Sequence, residues 1–81
     1  MTLTKEQAYI LRKMIEAAVQ LLTNEDDIKK CVSLFEKWEP GKVYLSLKKV
    51  RYDGHIYKCL LPHTSSDSKT PENKTYWQLM I

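Results

Sequence analysis

The stretch Val50-Arg51-Tyr52-Asp53-Gly54-His55-Ile56-Tyr57-Lys58-Cys59 decides how the second half of this chain folds. Two alternating runs flank Asp-Gly, the strongest short-range hairpin signal, because a type I′ turn needs positive φ at both central residues. With Asp53 and Gly54 as the turn, Tyr52 faces His55, Val50 faces Tyr57 and Lys48 faces Cys59. These residues share one face of the hairpin, and Lys49, Arg51, Ile56 and Lys58 share the other. The first face is aromatic and buryable. The second is mostly basic, with Lys49 opposite Lys58, and is expected to be a solvated surface on which long side chains splay apart. The functional alternative for that face is an anionic partner: teichoic acid, nucleic acid or an acidic protein surface.

Outward from the hairpin, Trp38-Glu39-Pro40-Gly41 reads as a turn and Val43-Tyr44-Leu45 as a first strand. Pro62 to Lys74 is a polar loop, and Tyr76-Trp77-Gln78-Leu79-Met80-Ile81 a closing strand. Three or four short strands with few aliphatic residues must build their core from rings, and Trp38, Tyr44, Tyr52, Tyr57 and Trp77 are the candidates. Adjacent strand residues point to opposite faces, so only one of Tyr76 and Trp77 can enter that core.

The first half has helical periodicity. Thr4 and Gln7 fit a capping box, and Ala8, Leu11, Ile15, Ala18 and Leu22 recur in steps of three and four, with Met14 and Val19 widening the stripe. This spacing predicts an amphipathic helix of about five turns. Thr23-Asn24 breaks it and can cap a shorter helix with an acidic first turn of Glu25, Asp26 and Asp27. Ile28, Cys31, Val32 and Phe35 give the second helix its apolar face. The expected fold class is α+β: a helical hairpin over residues 1–37, then a small three-stranded antiparallel β-module over residues 38–81. The first helix either packs on that module or self-associates through residues 4–22, since three small strands cannot cover so long a stripe.

A chain of 81 residues with 43% hydrophobic and 28% charged side chains is a small globular protein with a marginal core. Its net charge of +3 lies wholly in residues 38–81, which carry seven basic and four acidic side chains, against six and six in residues 1–37. That surplus, with no basic helix and no row of rings among the lysines, argues against nucleic acid as the partner. No run approaches the ~18 apolar residues of a membrane span. The N-terminus lacks the apolar core of a signal peptide, so the chain is expected in the cytoplasm unless it leaves within a larger particle.

Few residues suggest catalysis or metal binding. Cys31 and Cys59 form no Cys-x-x-Cys pair and read as reduced thiols, and with His55 and His63 they match no zinc spacing. His63-Thr64-Ser65 reads as a loop tied by side-chain to backbone hydrogen bonds. Glycoside hydrolysis needs two acids held across a cleft, and Glu39, Asp53, Asp67 and Glu72 suggest no such pair. The expectation is a non-enzyme with no cofactor and no metal.

The order Trp38, Tyr44, Val50, Tyr52, Gly54, Tyr57, Cys59, His63-Thr64-Ser65, Pro71, Tyr76-Trp77 resembles chitin-binding type-3 modules, the carbohydrate-binding modules of families 5 and 12. Cys59 after the second hairpin tyrosine, and His-Thr-Ser in the loop, resemble copies in phage tail and prophage proteins. The resemblance implies a compact antiparallel sheet that binds polysaccharide by stacking exposed rings on the apolar faces of sugars. It also implies a place in a virion tail after synthesis in a host cytoplasm. In the family's cellulose- and chitin-binding members, rings soon after the second hairpin tyrosine form much of the platform; here Leu60, Leu61 and Pro62 follow Cys59. The sugar-stacking candidates are therefore Trp77, Tyr76 and Trp38, with Thr64, Ser65 and Asp67 as hydrogen-bonding partners for hydroxyls. Cell-surface polysaccharide and a phage tail protein are the expected partners. The alternative is a structural adaptor in which the same fold docks on a tail component and binds no sugar.

Overall fold

The computed structural model describes residues 2–81. Along the chain run helix α1 (Lys5–Val19), helix α2 (Glu25–Lys30), a 3-10 turn (Val32–Leu34), and strands β1 (Val43–Tyr44), β2 (Lys49–Tyr52), β3 (His55–Cys59), β4 (His63–Thr64) and β5 (Trp77–Leu79). Strands β2, β3 and β5 form a three-stranded antiparallel sheet in that order, and β1 pairs with β4 in a separate two-stranded ladder. The fold is α+β.

The hairpin has the register that its turn dictates. Tyr52 pairs with His55, Val50 with Tyr57, and Lys49 with Lys58. Asp53 and Gly54 sit at φ +50° and +76°, as a type I′ turn requires. Aspartate tolerates this conformation, whereas a β-branched side chain at the second position does not. Gly54→Val should therefore destabilise the protein by about 1–2 kcal/mol and lower its melting temperature by roughly 5–10 °C. An unchanged thermal melt would contradict this account of the turn.

The two faces of the sheet are buried against different partners. On one side Val50, Cys59 and Trp77 pack with Trp38 and Tyr44, flanked by the half-buried rings of Tyr52, Tyr57 and Tyr76. On the other, Ile56 is fully buried with Val19, Ile28 and Phe35, and Met80 and Ile81 pack at their margin. The basic face of the hairpin is thus no open surface in its middle: the helical segment covers Ile56. Lys49 is drawn into this contact and its ammonium donates to the carbonyl of Gln20 at 2.8 Å. Burial, and then the charge of Lys58 opposite, hold the Lys49 pKa below the ordinary lysine value.

The helical hairpin is unequal. Helix α1 is capped as its sequence predicts, with the Thr4 hydroxyl accepting from the Gln7 amide and the Gln7 side chain accepting from the Thr4 amide. Its second arm is only six residues of α2, capped by Asn24, followed by the 3-10 turn. Helix α1 docks by the margin between its apolar stripe and its polar side. Arg12 donates to the carbonyl of Ser33 at 3.1 Å, Val19 is buried, and Gln20 reaches the sheet. The Gln20 carboxamide accepts from the Lys49 amide and donates to the Lys49 carbonyl, at 2.8 and 2.7 Å, completing the outer edge of β2 as a neighbouring strand would. Further along that edge, Arg51 donates its amide to the Glu36 carbonyl and accepts from the Trp38 amide. The apolar residues Ile10, Leu11, Met14, Ile15 and Leu21 all remain exposed.

Candidate functional site

A ligand that stacks on rings needs a ring with an open face, and the burial of each aromatic side chain decides which qualify. Trp77 does not: it is 2% exposed, its ring edge-on to Tyr44 at 5.3 Å and its indole nitrogen donating to the Lys69 carbonyl. It closes the core because it pairs with Cys59 on the inward side of β5. Trp38 is 9% exposed and lies edge-on to Tyr52 at 5.5 Å, a core position as its place between helix, turn and strand suggests. Tyr76 is half-buried, with the His63 ring tilted against it at 4.6 Å and the Lys69 ammonium 5.4 Å from its ring. These neighbours cover part of its surface.

The polar candidates divide in the same way. Ser65 is buried and its hydroxyl is spent on the backbone, donating to the Glu39 carbonyl and accepting from the Lys42 amide. Thr64 and Asp67 are exposed, Thr64 on the rim of the small β1–β4 ladder and Asp67 in the loop beyond it. The six residues expected to form one site are therefore not assembled into one. His63 holds the loop as its sequence suggests: its Nδ1 lies 2.8 Å from the Leu61 carbonyl, and its ring sits among Tyr44, Tyr76 and Trp77. Cys59 donates its thiol to the same carbonyl, and burial pushes its pKa up, so it stays protonated. Cys31 and Cys59 are both free thiols, one in each core cluster. Among the described residues, no three His, Cys, Asp or Glu side chains converge as metal ligands.

A depression that combines a half-buried ring with polar groups lies against β5. It encloses about 480 Å³ and is walled by Tyr57, Leu60, Pro71, Leu79 and the buried Trp77, with Glu72, Lys74 and Gln78 at its rim. Tyr57 and Leu79 are cross-strand partners and so stand side by side on this face. Tyr57 is half-buried, braced by Tyr52 at 6.2 Å and by His55 at 6.5 Å, and burial raises the pKa of its phenol. Leu60 and Leu79 are exposed. An apolar floor bordered by an amide, an ammonium and a carboxylate can offer both C–H contacts and hydrogen bonds to a sugar.

Of the wall residues only Trp77 stands out in the sequence as a site candidate. Tyr57 reads as core, and the leucines read as missing rings. The signal that would have assembled them is the pairing of β5 on β3. The long loop between them imposes no local register, so the facing of Tyr57 and Leu79 is a tertiary fact.

Among the described residues, no helix is long and apolar enough to cross a membrane. A family model, carbohydrate-binding module family 5/12, matches residues 37–78, which is 42 of the 81 residues. The match contains the hairpin, both tryptophans and all the residues of the groove except Leu79. No curated protein and no solved structure matches the chain.

Proposed function

The chain belongs to carbohydrate-binding module family 5/12, and from that premise we propose that it is a non-catalytic module whose groove at Tyr57 binds cell-surface polysaccharide. The observation that carries the reading is the pairing of Tyr57 with Leu79 under a polar rim. Glu72 is the lone carboxylate lining that groove, which supports binding without hydrolysis, since glycosidases use two acids. The setting we propose is a phage or prophage tail, reached after synthesis in the host cytoplasm. The resemblance of Cys59 and His63-Thr64-Ser65 to copies in such proteins supports it.

We further propose that the chain works as a homo-oligomer joined through residues 4–22. Leu3, Ile10, Leu11, Met14, Ile15 and Leu21 are exposed together along α1 and its flanks, on the side turned from the sheet. The charged residues of the helix, Lys5, Glu6, Arg12, Lys13 and Glu16, all fall outside that stripe. A second copy can therefore cover it without burying a charge. Several copies would supply the avidity that a shallow groove needs.

Co-sedimentation with insoluble chitin and with Gram-positive cell walls tests the carbohydrate reading. Wild type should pellet with at least one of them. Leu79→Asp, at an exposed site, should weaken binding about tenfold by placing a charge where a sugar face packs. Leu60→Trp supplies a ring at the first position after Cys59 and should strengthen it by a similar factor, about 1–1.5 kcal/mol. Wild type remaining in the supernatant with both materials would favour the alternative, an assembly adaptor of a tail that binds no sugar. The exposed leucines at 60 and 61, where the family's glycan binders carry rings, are the observation on that side.

A further inference from the structure

The second groove of the molecule lies on the opposite side of the hairpin turn, where α2 ends. It encloses about 950 Å³, and its walls bring together Lys29, Lys30, Lys37 and Arg51 with Tyr52 and Asp53. Four cations against one carboxylate give a local charge of +3, equal to that of the whole chain. Three separate segments supply them: the last turn of α2, the strand-like residue Lys37 bridged to Arg51, and the hairpin itself. The ion pairs among the described residues use Arg12, Lys13, Lys42 and Lys48, and none of these four groove cations. The Nε of Arg51 is buried and has no hydrogen-bond partner.

Folding has thus collected like charges around an unsatisfied donor, an arrangement that costs energy unless an anion enters. The carbonyl end of a helix favours nearby lysines, which accounts for Lys29 and Lys30 but not for Lys37 or Arg51. A guanidinium presents a planar fork suited to the two oxygens of a phosphate or carboxylate, and lysines add point charges around it. Tyr52 also lines the groove, its ring held edge-on by Trp38 and Tyr57 in the aromatic cluster. The guanidinium ringed by lysines fits an anionic group, and the chain's carbohydrate-binding family points to a glycan as the carrier of that group.

We propose that this groove binds the anionic group of an acidic polysaccharide, a phosphodiester or a carboxylate carried on the polymer. This rests on the carbohydrate reading above and extends it from sugar in general to charged glycans. It also gives the lysines of α2, which lie outside the matched family region, a part in recognition.

The test is affinity electrophoresis of the full chain through gels holding wall teichoic acid, polygalacturonate or neutral glycol chitin, with single-stranded DNA as a fourth arm. The triple variant Lys29→Gln, Lys30→Gln, Lys37→Gln changes only exposed side chains, and its melting curve is checked beside the wild type. Wild type should be retarded by at least one acidic glycan, less so as salt rises, and the triple variant about tenfold less at low salt. Retardation by teichoic acid alone identifies phosphate as the ligand, and by polygalacturonate alone carboxylate. Triple Arg replacement at the same lysines should retain binding. Equal retardation of wild type and triple Gln variant in the acidic gels overturns the groove, as does tighter binding to DNA than to either glycan. Glycol chitin separates the two claims. Retardation there that survives the triple Gln variant supports the Tyr57 groove whatever the acidic gels show, and its absence leaves the basic groove to stand on the acidic gels.

Discussion

Trp77→Ala should remove a large share of the protein's stability. The indole is 2% exposed, packs edge-on against Tyr44 and against His63, and donates to the Lys69 carbonyl, so truncation opens a cavity and strands a hydrogen-bond acceptor. Losses of this kind cost about 3–5 kcal/mol. A chain of this length has only roughly 4–12 kcal/mol of stability in total. The melting temperature should fall by more than about 15 °C, read by circular dichroism at 222 nm or by differential scanning calorimetry. A stable variant that lost only glycan binding would show that Trp77 serves as a stacking face after all, and that the burial seen here is not its working state.

Ile15→Asp should change the mass of the protein in solution without harming its fold. Ile15 is 39% exposed and makes no part of either core, so the single chain tolerates the carboxylate. In an oligomer joined at α1 it would be buried without a partner, at a cost of several kcal/mol per interface. Light scattering on wild type should give a multiple of 9.6 kDa, and on the variant a value near 9.6 kDa itself. A wild-type protein that stays monomeric at micromolar concentration would remove the self-association reading and return the exposed stripe to some other partner.

The hairpin was legible in advance because its information is local. Asp53-Gly54 sets the turn, the turn sets the register, and the register sets which side chains share a face. The caps of α1 and α2 were legible for the same reason. What sequence did not disclose is how the helical segment meets the sheet. Periodicity identifies an apolar stripe, and the usual inference is that the stripe faces the core. Here α1 docks by the margin of its stripe: Val19 and Leu22 pack on the Ile56 cluster, Gln20 bonds the sheet edge and Arg12 bonds the 3-10 turn, while the centre of the stripe stays exposed. How the candidate rings are placed was legible only in part. Tyr76 and Trp77 were expected to divide between core and surface; Trp77 is core, and Tyr76 is half-buried between His63 and Lys69. Tyr57, which the alternation pattern assigns to the interior, is half-buried as well and lines the groove against β5.

Strand β3 is the one strand with hydrogen-bonded neighbours on both sides, and it sends Ile56 into one core cluster and Cys59 into the other. Any excursion that frees its amides must separate both clusters at once, so its opening is the global unfolding reaction. The rest of the molecule stands in a graded relation to it: α1 is anchored at Arg12, Val19 and Gln20, and residues 5–11, exposed throughout, can fray while β3 stays closed. The expected pattern is a slowly exchanging pivot beside a quickly fraying arm, so an encounter through that arm, in the oligomer proposed above, does not require the proposed glycan groove to loosen.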